Sequence, residues 1–90
     1  MRVLSYNIRY GFGRDDRYDT PRIADVVKSA DIAALQEVDR HWSRSGFDDQ
    51  PAWLADLLPD HYTTFAAAFD MDASTSADRT RRRLCGPMIL

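Results

Sequence analysis

Thiol chemistry is nearly absent from this chain. Cys85 is its single cysteine, so no intrachain disulfide can form, and that composition fits a reducing compartment. A catalytic cysteine needs a partnered histidine, and nothing in the sequence places one beside Cys85, which reads as a small buried apolar group. Long apolar runs are missing too. No stretch is long enough to span a bilayer. The first residues, Met1-Arg2-Val3-Leu4-Ser5-Tyr6, run into a strand-like pattern without the zones of a signal peptide. A cytoplasmic location is the expectation. Nor is there an excess of one charge: 29% of residues are charged and the net charge is -2. A dedicated non-specific nucleic-acid binder usually carries a basic surplus, so the balance weighs against that class. Repeats and low-complexity tracts are absent.

What is present suits one small globular domain: 90 residues, 44% hydrophobic and 11% aromatic. Val3 to Ile8 reads as a strand, with Leu4, Tyr6 and Ile8 on one face and Val3, Ser5 and Asn7 on the other. Gly11 and Gly13 open a polar loop through Arg14, Asp15, Asp16 and Arg17. A third glycine of a dinucleotide fingerprint would fall where Asp16 stands, so that motif fails. Thr20-Pro21 predicts a helix start, with the threonine hydroxyl as cap and proline in the first turn. Ile23, Val26, Val27 and Ala30 follow at the spacing of one buried helical stripe.

Asp31 ends that pattern, and Ile32-Ala33-Ala34-Leu35-Gln36 has the signature of a strand buried on both faces. Strand, helix and strand make a βαβ unit. The stretch from Asp39 to Gln50 reads as a polar loop, and Pro51 to Leu58 as a second helix stopped by Pro59. A strand is expected within Tyr62 to Phe69, a polar excursion from Asp70 to Arg83, and a last strand over Leu84 to Leu90. Met88-Ile89-Leu90 is apolar with no turn after it, which predicts that residues 1–90 are a truncated domain.

Asn7 and Glu37 each stand at the carboxyl end of a predicted strand. A crossover makes those strands parallel, so both ends emerge on one edge of the sheet, where ligands bind in open α/β folds. A carboxylate there suits Mg²⁺, which keeps several waters and takes further contacts from phosphate. A carboxamide can donate to a phosphoryl oxygen or a metal-bound water. Spacing by itself favours a simpler alternative, in which Asn7 closes its strand with a side-chain turn bond and Glu37 is solvated.

Leu4-Ser5-Tyr6-Asn7-Ile8-Arg9 resembles the first motif of the endonuclease/exonuclease/phosphatase superfamily, and Ala34-Leu35-Gln36-Glu37-Val38 its second. Gly86-Pro87-Met88-Ile89-Leu90 is similar to a later strand of that family, except that Pro87 replaces the usual asparagine and removes a backbone donor. Gln36-Glu37-Val38-Asp39-Arg40, Arg44-Ser45-Gly46 and Asp49-Gln50 resemble the lipid-remodelling or sphingomyelinase-like branch. The resemblance covers this chain and about the first third of the family domain. It implies an α/β fold, the N-terminal fragment of a two-sheet sandwich with flanking helices. It also implies a phosphodiesterase or phosphomonoesterase using Mg²⁺ or Mn²⁺. Asn7 would contact phosphate and Glu37 would ligate the metal, with Asn7 also placed at the metal. The substrate would be a phosphoester of nucleic acid, lipid or small-molecule type. The family's later G-D-x-N and S-D-H motifs do not occur here, so the fragment itself is expected to be inactive. The alternative is a non-catalytic remnant or a phosphate-binding interaction module.

Other features read more plainly. His41 and His61 lack the family's S-D-H context and read as surface or interface residues. Asp70-Met71-Asp72-Ala73-Ser74 opens like a calcium loop, but Thr75 and Arg81 occupy its glycine and glutamate positions, so a solvated loop is expected. Arg79, Arg81, Arg82 and Arg83 could meet an anion or simply balance Asp70, Asp72 and Asp78. Trp42 could line a groove, and Trp53 is expected to pack helix against sheet.

Overall fold

The computed structural model describes residues 1–72 and 82–90. Strand β1 (Val3–Asn7) leads through a 3-10 turn at Arg9–Gly11 to helix α1 (Thr20–Val27) and strand β2 (Ile32–Arg40). A second 3-10 turn, Ser43–Ser45, precedes helix α2 (Gln50–Leu57). Short strands β3 (Thr64–Phe65) and β4 (Phe69–Met71) and the longer β5 (Arg83–Ile89) complete the described elements. They form one mixed sheet in the order β1-β2-β5-β3, with β4 also on β5. The β1–β2 pair is parallel, as a helical crossover requires, and every pairing to β5 is antiparallel. The expected α/β class is what the chain adopts.

Both helices pack on one face of this sheet. Ile23 and Val27 from α1 and Leu54 from α2 meet Ala33, Leu35, Val38 and Met88 in a single buried cluster. The stripe read from the sequence holds at Ile23, Val27 and Ala30, but Val26 is 45% exposed and Ala24 is buried in its place. Among the described residues nothing covers the other face. Register places Val3 beside Ile32 and Ala34 beside Ile89 on that face, where Val3, Ile32 and Ile89 are 70%, 43% and 47% exposed. The expectation of a strand buried on both faces is therefore corrected: β2 alternates, because helices cover one side only.

Three further expectations change for stated reasons. Thr20 is not the cap of α1. Asp19 is, its Oδ1 accepting from the Arg22 N–H at 3.1 Å, while Thr20 already lies inside the helix with its hydroxyl buried and unpartnered among the described residues. Asp39 and Arg40 are strand, not loop, because Cys85 and Leu84 of β5 pair with them across a long sequence separation. Trp53 does not pack helix to sheet: it is 40% exposed while Leu54 takes the buried position.

The strand expected within Tyr62 to Phe69 splits into β3 and β4, and the alanines between still donate from Ala66 to Pro87 O (3.0 Å) and from Ala68 to Cys85 O (2.9 Å). Helix α2 falls where expected, capped by Asp49, which accepts from Ala52 N–H at 3.2 Å. Of the polar excursion, Ser74, Thr75, Asp78, Arg79 and Arg81 lie outside the described residues. Arg82 bonds Asp70 and Asp72 at 2.6 and 3.2 Å, so that part of the basic cluster is charge-balanced. Among the described residues no helix is long and apolar enough to cross a membrane.

Candidate active site where β1 ends beside β2

The parallel register sets Asn7 opposite Gln36, and Ile8 N–H donates to Gln36 O at 3.0 Å. Asn7 at the end of β1 and Glu37 in the neighbouring β2 therefore lie close to each other, but β2 runs on to Arg40, so Glu37 stands within its strand and not at the end the sequence reading gave it. At Asn7 the side chain turns the chain: its Oδ1 accepts from Arg9 N–H at 2.9 Å, the side-chain turn bond of the simpler alternative. Arg9 and Tyr10 follow with positive φ, 47° and 44°. The turn bond engages the carbonyl oxygen and leaves Nδ2 as a donor without a partner among the described residues. It orients the amide for donation to an anion more directly than for binding a cation.

Glu37 sits in a β-bulge. Leu35 pairs with Met88 and Val38 with Gly86, so Gln36 and Glu37 together oppose Pro87. A regular strand would place residue 37 on the same face as Ala33 and Leu35, inside the helix-packed core. The extra residue shifts the phase, so Val38 fills the core and the carboxylate is carried off it. The local cost is a left-handed backbone at Glu37, φ 57°, about 1–2 kcal/mol for a residue with a Cβ. The half-buried carboxylate makes no hydrogen bond or ion pair among the described residues.

Beside Glu37 is a shallow apolar depression of about 240 Å³, with Gln36, Phe69, Cys85, Gly86 and Pro87 in its wall. Gly86 is required there, since a Cβ would collide with Ala66 O and lie 2.6 Å from Ala68 N. Pro87 faces its carbonyl to Ala66. The donor it lacks would point to that same irregular side, away from the β2 pairing, which is where a sheet tolerates proline. Burial, and then the adjacent Asp39, push the Cys85 thiol up to about 12, so it is no nucleophile at neutral pH.

A buried polar network adjoins the bulge, and the sequence reading of a polar loop missed it. Asp39 is wholly buried. Its carboxylate accepts from Arg44 Nε and Nη2, both at 2.9 Å, and from Ser45 Oγ at 2.9 Å. Gln50 Oε1 accepts from Asp39 N–H at 2.8 Å, and Gln50 Nε2 donates to Tyr10 O at 2.8 Å and to Tyr18 Oη at 3.2 Å. The Tyr18 hydroxyl donates to Asp48 at 2.6 Å. Burial and that carboxylate hold its pKa up at about 12. The clue in the sequence was the company of Asp39, Arg44, Ser45 and Gln50, but only burial shows that they meet.

The histidines take structural places. His61 Nε2 lies 2.8 Å from Ala30 O, before the start of β2 and so at the opposite end of the sheet from Glu37. His41 lines a depression with Arg40, Asp70, Arg82 and Leu84. Trp42 Nε1 donates to Leu84 O at 2.9 Å.

Among the described residues no three His, Cys, Asp or Glu side chains are grouped to enclose a metal. Zinc-type sites need such an enclosure. Hydrated Mg²⁺ is held by one or two carboxylates plus phosphate oxygens, and the unpaired Glu37 carboxylate fits that donor set.

This geometry has a counterpart among solved structures. The chain is similar to an endonuclease/exonuclease/phosphatase protein. That protein, from Beutenbergia cavernae, is 31% identical over 99% of this chain, with a TM-score of 0.73. The chain spans 25% of its length. No family model matches the chain, and no curated protein matches it. The structural likeness bears out the endonuclease/exonuclease/phosphatase resemblance carried by the two motifs.

Proposed function

We propose that residues 1–90 are part of a metal-dependent phosphoesterase domain of the endonuclease/exonuclease/phosphatase superfamily, contributing the phosphate-contacting amide and one metal-ligating carboxylate. The observation that carries this reading is the placing of Glu37 one residue past the Asn7–Gln36 pair of two parallel strands, with its carboxylate turned off the core face by a bulge. Glu37 offers carboxylate oxygens to Mg²⁺ or Mn²⁺. Asn7 donates from Nδ2 to a phosphoryl oxygen; as a metal ligand it would have to use the remaining lone pair of an Oδ1 already engaged by Arg9. A bound divalent ion supplies Lewis-acid stabilisation of the charge that develops on the phosphate.

In the intact reaction, water attacks in line, the chain's amide and carboxylate hold the phosphate and its counter-ion, and the leaving group is protonated. The activating aspartate and the acid histidine implied by the family would come from beyond these residues, so the chain itself turns over negligibly. Resemblance of the 36–50 segment supports the lipid-remodelling or sphingomyelinase-like branch. The single free Cys85 supports a reducing, cytoplasmic setting.

The test is Mn²⁺ titration of the 90-residue chain against Glu37→Ala, with and without inorganic phosphate. The expected result is binding that weakens by roughly tenfold or more in the variant, as loss of a charged oxygen ligand requires. Equal affinities remove Glu37 as a ligand. Phosphate binding that needs Asn7 but neither metal nor Glu37 would favour the non-catalytic phosphate-binding module, a reading supported by the amide donor left unpartnered at the end of β1.

A further inference from the structure

Glu37 keeps an unfavourable backbone conformation in the middle of a strand, and something nearby must hold it. Strand β1 ends at Asn7, so on the outer side of β2 no strand pairs between Gln36 and the isolated bridge of Arg40 with Asp49. There the Asp39 N–H is taken by the Gln50 side chain, whose amide also holds Tyr10 O. On its other side Asp39 pairs with Cys85 of β5. The Asp39 carboxylate is fully buried, two residues past the bulge, and accepts both prongs of the Arg44 guanidinium.

That guanidinium is itself fixed in a layered stack. It lies 3.8 Å from the Tyr10 ring centre and 4.2 Å from that of Trp42, and Arg83 covers Trp42 at 4.8 Å. Trp42 is pinned to β5 through Leu84 O. The stack thus joins the turn after β1, the chain after β2, and β5, which are the segments around Glu37. A planar, bidentate cation suits both the carboxylate and the rings, and a lysine ammonium supplies neither the fork nor the plane.

We propose that Arg44 is a positioning residue for Glu37: acting through buried Asp39, it holds the bulge in which residue 37 keeps its left-handed backbone, and so directs the carboxylate off the core face, close to Asn7. The consequence for metal rests on the function proposed above; the conformational claim does not. Arg44 is 38% exposed along its side chain and Asp39 is not exposed at all, so the arginine closes the carboxylate off from solvent. Once the fork is broken, a buried charge must be hydrated or neutralised. The turn at Trp42–Ser45 has to open for that, and the restraint on the bulge goes with it.

The experiment uses the 90-residue chain with wild-type residues at 39 and 44, with Arg44→Lys and with the uncharged pair Asp39→Asn/Arg44→Gln, each carrying Ile32→Thr and Ile89→Thr on the exposed sheet face to keep it soluble. Backbone scalar couplings and carbon shifts at Glu37 report its φ, amide shifts of Leu35 and Met88 report the folded core, and Mn²⁺ titration reports affinity. The expected result is a positive φ at Glu37 in the wild type. In whichever variant stays folded it is lost, and Mn²⁺ affinity falls by roughly tenfold, the effect usual for groups that orient a metal ligand. A residue that merely stabilised the fold would change the folded population and leave the Glu37 couplings of the folded form untouched. Retention of positive φ in a folded variant overturns the proposal, as does its absence in the wild type. If neither variant folds, core shifts lost together with the Glu37 signal also overturn it, since Arg44 then supports the whole fold. Glu37→Gln separates the two claims: equal Mn²⁺ affinity in it and the wild type ends the metal reading, while the couplings still decide the clamp.

Discussion

At residue 37 stability and the proposed metal role pull in opposite directions. A glutamate with φ 57° forfeits about 1–2 kcal/mol that glycine would not, and its carboxylate gains no partner among the described residues. Glu37→Gly is therefore expected to raise the denaturant midpoint, by about 1 kcal/mol in unfolding free energy, while abolishing Mn²⁺ binding. An unfolding curve that moves the other way would show that the glutamate side chain stabilises the fold by more than its backbone costs. Asn7 shows the reverse economy. The turn bond to Arg9, expected only of the simpler alternative, is compatible with the phosphate contact proposed for Asn7, because one end of the amide closes the turn and the other stays available.

Element boundaries were legible where local chemistry sets them. Pro51 and Pro59 bracket α2 in the sequence, and the helix runs Gln50–Leu57. The start of α1 was legible to within one residue, since Asp19 and Thr20 are both capping types and only geometry chooses between them. The choice has opposite consequences. Asp19→Ala removes the bond to Arg22 N–H and is expected to cost about 1 kcal/mol, as loss of an N-cap does. Thr20→Val replaces a buried, unpartnered hydroxyl by a methyl of similar shape and is expected to be neutral or to stabilise by up to about 1 kcal/mol. Thermal unfolding of the two variants checks both; a larger loss in Thr20→Val would restore the hydroxyl as the effective cap.

For the whole molecule, the decisive feature is a sheet covered on one side. The open face presents Val3, Ile32 and Ile89 together, and β1 is an edge strand. Exposed apolar surface beside an unpaired strand edge favours association. The isolated chain is expected to be marginally stable and to aggregate. Ile32→Thr with Ile89→Thr should raise its solubility while leaving the helix-packed face folded. Sedimentation of wild type and double variant, with thermal unfolding of each, decides this: a soluble wild-type monomer with a cooperative transition would contradict it.

The sequence by itself determined the βαβ unit, both helices, the class of the fold and the nearness of Asn7 to Glu37 on neighbouring strands, because period, capping residues and two short motifs are local signals. It also carried Asp39, Arg44, Ser45 and Gln50 without revealing what they do. Tertiary structure alone decided the bulge, the extension of β2 to Arg40, the division of β3 from β4 and the burial of Asp39. Each of these depends on β5, whose residues lie more than forty positions from Glu37 in the chain, and pairing across such a distance leaves no periodic trace in either segment.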